Sequence, residues 1–132
     1  MIALAALLLA QTASADAPAA DPPAEWSKLA DLPLIRRGAM QQPELSRFVH
    51  DEVAAGRCSA AQRGADGFTL AVDLAVLVDR SGEVRRIVPR AIGCPTVEQY
   101  AAGLISRMAR ANLAPAANGA WYRITIGFAW KE

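Results

Sequence analysis

The chain has 132 residues, 53% of them hydrophobic with alanine prominent, and 14 basic residues set against 13 acidic ones for a net charge of +1. That length allows one domain with extensions and excludes an enzyme with a separate substrate domain. Interspersed charges of near-zero sum exclude nucleic acid and an anionic membrane surface as electrostatic partners.

Ile2–Ala10 is an uninterrupted apolar run, too short for a bilayer span of about 20 residues. It leads into Ala13-Ser14-Ala15, a small-x-small site that predicts cleavage before Asp16, so residues 1–15 read as a secretory signal peptide. No Lys or Arg precedes the run, which leaves the terminal amine as its only positive charge. No other segment has the length and apolarity to cross a membrane, and the mature chain is expected not to insert stably. Residues 16–42 form a Pro/Ala-rich leader. Asp16–Ala24 predicts disorder, and Trp26, Leu29, Ala30 and Leu34 suit one short helical turn ended by Pro33.

Residues 43–132 hold the domain. Pro43–Gly56 predicts a helix, with proline in its first turn and Gly56 at its exit. Leu45, Phe48, Val49 and Val53 make its buried stripe. Ser59–Gly67 reads as a polar loop. Phe68–Val78 then alternates strictly, placing Phe68, Leu70, Val72, Leu74, Val76 and Val78 on one face of a strand. Asp79-Arg80-Ser81-Gly82 supplies a turn, with Gly82 free to take a positive φ. Glu83–Ile92 returns as a second strand, with a bulge predicted near Arg85–Arg86 and a lost ladder donor at Pro89.

Thr96-Val97-Glu98-Gln99 has the form of a capping box. Val97, Tyr100, Ala101, Leu104 and Met108 follow on one helical face, and Leu113 and Pro115 close that helix. Asn118-Gly119 turns the chain into a last strand, Trp121–Trp130. Its even residues, Tyr122 to Trp130, are expected to face the helix, and its odd residues lie opposite. The sum is an α+β fold: a small antiparallel three-stranded sheet of β-β-α-β order, one packed helix, and an additional N-terminal helix.

Cys58 and Cys94 are the only cysteines, each at an element boundary. In an exported chain an isolated pair reads as a disulfide. Closing a loop of about 36 residues contributes roughly 3–4 kcal/mol on chain-entropy grounds.

No catalytic constellation emerges. His50, the sole histidine, lies off the apolar stripe beside Asp51 and Glu52, and pairing it with Ser46 or Ser106 lacks an orienting third group. Metal binding by Cys58, Cys94 and His50 lacks a fourth ligand and competes with the disulfide. No phosphate loop or dinucleotide motif is present. The expectation is a non-enzyme without metal or cofactor. Arg80, Arg85, Arg86 and Arg90 gather on the hairpin and read as a solvated, edge-protecting face. Three strands leave an open edge, and Trp121, Arg123, Thr125 and Gly127 on the last strand are the candidate partner contacts.

Val76, Val78, Asp79 and Gly82, then Val84, Val88 and Gly93, then Ala101-Ala102, and last Leu113 and Pro115 follow in an order that resembles the C-terminal domain of the TonB family. The likeness covers about half of the mature chain. It implies a periplasmic module that binds an extended protein or peptide segment by strand addition, with outer-membrane receptors among the implied partners. It links such a module to transport across the cell envelope. The family's Tyr-Pro pair before the first strand is missing, and the cysteine pair is this chain's own. Two copies pairing edge to edge is a further arrangement the same strand allows. The alternative is a small secreted inhibitor or structural protein of the envelope that uses the Ser59–Gly67 loop.

Overall fold

The computed structural model describes residues 21–38, 43–115 and 119–131. The predicted signal peptide, the leader before Asp21, and Asn118 of the predicted turn lie outside them. A 3-10 turn, Trp26–Lys28, leads to β1 (Ala30–Asp31). A second 3-10 turn, Pro43–Ser46, runs into α1 (Arg47–Ala54). β2 (Gln62–Gly64), β3 (Gly67–Val78), β4 (Val84–Pro89), α2 (Pro95–Ala109) and β5 (Ala120–Trp130) complete the order.

The sheet is five-stranded and mixed, which corrects the expectation of three antiparallel strands. β3 is central and pairs antiparallel with β5 along their whole length, from Phe68↔Trp130 to Val78↔Ala120. The other side of β3 carries β4 at one end and β2 at the other. β1 lies parallel to β5, with Ala30↔Tyr122 and Asp31↔Arg123. Two strands were added by segments without alternation. Gln62-Arg63-Gly64, expected in a loop, pairs back on Gly67–Thr69 through the two-residue link Ala65-Asp66. Gly67 is required there: its φ is 128°, and a Cβ would stand 2.2 Å from the Trp130 carbonyl oxygen.

The alternation of β3 and β5 decides the core. Leu70, Val72, Leu74, Val76 and Val78 meet Ile124, Ile126 and Phe128 on one face, and α2 lays Val97, Ala101, Leu104 and Ile105 across them. Each such aliphatic or aromatic side chain contributes about 1.5–3 kcal/mol by leaving water. The bulge sits where Arg85 is expected to be extra, since Leu77 pairs Arg86 while Val78 pairs Val84. Gly82 takes φ 83° in the turn.

α2 begins differently from its expected capping box. Pro95 is its first residue, and the N-cap is Cys94, which has no hydroxyl. The Glu98 carboxylate instead accepts the N–H of Cys94 at 3.0 Å and of Ile92 at 3.1 Å. Thr96, displaced into the first turn, donates its hydroxyl to Glu52 on α1 at 2.9 Å. Glu52 also accepts both forks of Arg57, at 3.0 and 3.1 Å, and these bonds, Arg57 first, hold its carboxyl below the usual range. On the expected α1 stripe Val49 is fully buried, whereas Phe48 stays at the rim against the Tyr100 ring.

The Cys58–Cys94 bridge is formed, with Cα atoms 5.1 Å apart. Such a bridge is what an oxidising compartment sustains, and exported proteins meet that condition. Among the described residues no helix is long and apolar enough to cross a membrane.

From Leu32 onward the N-terminal segment enters the core side. Leu32 and Leu34 are buried, Leu34 bridges Leu113, and the Ala114 N–H donates to Pro33. Buried Asn112 ties this passage to the end of α2. Its amide nitrogen donates to the Arg36 and Met108 carbonyls at 2.8 and 2.9 Å, and its side-chain oxygen accepts the Arg36 N–H at 2.9 Å.

Candidate functional site

Strand parity fixes which backbone groups of β5 face outward. Its register with β3 has no break, so N–H and C=O groups alternate sides residue by residue. The Leu32 N–H donates to the Arg123 carbonyl at 2.8 Å, and the Ala129 N–H donates to Ser46 Oγ at 3.0 Å. Odd-numbered residues of β5 therefore direct their backbone groups away from β3. β1 engages this edge at Tyr122–Arg123, and Ser46 latches it at Ala129. Between those two contacts Thr125 and Gly127 are exposed, and their outward N–H and C=O groups meet no partner among the described residues. The window runs from Ile124 to Phe128, about 13 Å at roughly 3.3 Å per residue.

Ile124, Ile126 and Phe128 point into the core, so the window is rigid behind its edge. Its odd side chains lie on the other face of the sheet. There the Thr125 hydroxyl donates to the Asp73 carboxylate. The N-terminal strap, Asp21–Asp31, runs over the same face toward β1. Arg86 pairs with Asp21 at 3.0 Å, the Arg90 guanidinium lies 4.6 Å from the Trp26 ring centroid, and Arg123 reaches Asp31 and the Ser27 carbonyl, both at 3.1 Å. Strap and sheet enclose a cleft of about 490 Å³ beside Thr125, lined by Trp26, Asp31, Asp73, Arg90 and Arg123 among others.

The hairpin arginines thus divide their work. Arg86 and Arg90 hold the strap, while Arg85 serves the turn by pairing with Asp79. The Asp79 carboxylate also accepts the Ser81 hydroxyl and the backbone N–H groups of Ser81 and Glu83. The Ser81 hydroxyl and the Glu83 N–H, first in effect, hold its carboxyl far below the ordinary range against the opposing effect of burial, and Arg85 adds to them. A larger cleft of about 770 Å³ lies between this turn and the end of α2, with Arg80 and Arg110 on its rim.

The four sequence candidates separate. Thr125 and Gly127 form the open window. Arg123 is engaged by the strap, and Trp121 is 7% exposed, on the face opposite α2. His50 stacks on the Trp130 ring at 5.6 Å, and Ser46 uses its hydroxyl as the edge latch. Among the described residues no three His, Cys, Asp or Glu side chains converge to hold a metal ion. Sequence reasoning missed Ser46, Asp73 and the strap, because each works through a contact distant in sequence. Ser46 lies 83 residues from Ala129, and Asp31 lies 92 from Arg123. Only the placement of Thr125 and Gly127 on one parity was available beforehand. No family model matches the chain, and no curated protein or solved structure matches it.

Proposed function

We propose that this protein is a periplasmic binding module that takes up an extended segment of a partner protein by strand addition at Ile124–Phe128 of β5. The observation that carries the reading is the pair of outward-facing peptide groups of the exposed residues Thr125 and Gly127, which meet no partner among the described residues. Unpaired edge groups are what an incoming strand satisfies, and their hydrogen bonds give affinity without regard to sequence. The short window selects the kind of strand. A second β5 laid antiparallel about Ile126 would run past Thr125 into the place held by β1 and past Gly127 onto the Ser46 latch, so a short extended segment fits better than a second copy.

The ordered resemblance of Val76–Pro115 to the C-terminal domain of the TonB family supports the same mode of binding and an outer-membrane receptor as partner. The disulfide and the apolar run Ile2–Ala10 support export to the periplasm. The segment of the alternative, a small secreted inhibitor or structural protein using Ser59–Gly67, is partly drawn into a hairpin, Gln62–Gly64 pairing with Gly67–Thr69 through Ala65-Asp66.

Proline at the window tests the reading, since it removes an outward N–H while the β3 ladder, served by even residues, stays whole. Affinity capture from host periplasm should yield a partner with the unaltered protein and lose it with folded Thr125→Pro and Gly127→Pro. A partner retained equally by both variants would remove this edge from the function.

A further inference from the structure

We infer that the strap Asp21–Asp31 is a displaceable stand-in for the partner, and that the partner segment is acidic and carries an aromatic residue between its carboxylates. The inference rests on the strand-addition reading and adds to it what the segment looks like and what it must displace.

No residue from Asp21 to Asp31 is buried, whereas Leu32, next in the chain, is 1% exposed. The strap is therefore held from outside. Its ladder is the two residues of β1, and its side chains rest on three arginines of the sheet face. The Arg86–Asp21 pair is 48% and 88% exposed, and the Arg123–Asp31 pair 45% and 73%. Ion pairs this wet are weak and screened by salt. Trp26 contributes a stacking contact with Arg90. Peeling the strap back to Leu32 leaves the core cluster between the sheet and α2 intact, since none of its members precedes Leu32. It also frees the stretch of β5 that β1 holds, short of the Arg123 carbonyl that the Leu32 N–H keeps, and it opens the cleft beside Thr125.

The strap shows what this surface recognises. Residues 21–31 carry three carboxylates, Asp21, Glu25 and Asp31, against one lysine. The outer two meet Arg86 and Arg123, with Trp26 on Arg90 between them. An arginine row of this kind offers planar, two-pronged donors to carboxylates and a flat cation to an aromatic ring. A partner that replaces the strap meets the same row, so the same chemistry is asked of it. In the resting chain the tethered strap competes at high local concentration, which lowers the apparent affinity of anything that needs its place.

The probe is a synthetic peptide of residues 21–31, offered to the full-length protein and to the full-length Trp26→Ala/Asp31→Ala variant, whose strap keeps its backbone but loses two holds. The variant should bind the peptide at least about fivefold more tightly than the unaltered protein, because less of it is self-occupied. A peptide carrying Asp21→Asn and Asp31→Asn should lose most of that affinity. Equal affinity for the two proteins, binding to neither, or indifference to the peptide's carboxylates would each overturn the inference. Hydrogen exchange gives a second reading on the unaltered chain. The Arg123 amide, facing β1, should exchange by local opening that salt accelerates, and exchange only on global unfolding would also overturn it. The peptide seats at Trp121–Arg123 and the proline variants act at Thr125–Gly127, so the two ideas can fail separately.

Discussion

Ala111 takes φ 51° just beyond α2, a left-handed position that glycine occupies without strain. Relief of that strain outweighs the extra chain entropy of glycine when unfolded. Ala111→Gly should therefore raise unfolding free energy by about 0.5–1 kcal/mol in a urea titration. Asp79 makes the opposite kind of statement. Its folded carboxyl titrates below its unfolded value near about 3.9, so its stabilisation is complete above that pH and lost as pH falls toward the folded value. The melting-temperature gap between the unaltered protein and Asp79→Asn should be steady at neutral pH and narrow below about pH 4. A gap constant down to about pH 2 would show that the turn does not depend on the charge.

Elements were legible wherever a period governs them. β3 and β5 showed their period of two, α2 showed its helical stripe, and Arg85 showed its bulge through a break in alternation. Where side chains stay exposed no period is enforced, which is why β1 and β2 left no trace. Ala30 and Asp31 are both exposed, and only pairing with β5, far along the chain, makes them a strand. The cap of α2 failed for a related reason: Pro95 moved the helix start, and Glu98 took over the back-bond expected of Gln99. Two staples join these elements. Asn112→Ala strands the Arg36 backbone at the helix end and should cost about 2–3 kcal/mol, read in the same urea titration. Opening Cys58–Cys94 should cost roughly 3–4 kcal/mol, and with both cysteines buried, reductant alone should act slowly under native conditions.

At the scale of the whole molecule, one long antiparallel pair, β3 with β5, carries the fold, and everything else is arranged around its outer edge. β1 closes one end of that edge, Ser46 the other, and α2 backs it with a packed core. The sequence placed Thr125 and Gly127 on one parity of an expected edge strand, but the boundaries of the window come from contacts that no local pattern reports. Alternation along β5 is the physical signature of the account. Residue-resolved hydrogen exchange on the free protein should find the Thr125 and Gly127 amides exchanging rapidly while those of Ile124, Ile126 and Phe128, bonded to β3, are strongly protected. Thr125 and Gly127 amides as protected as that of Ile126 would mean the edge is already filled, and the strand-addition account would be wrong.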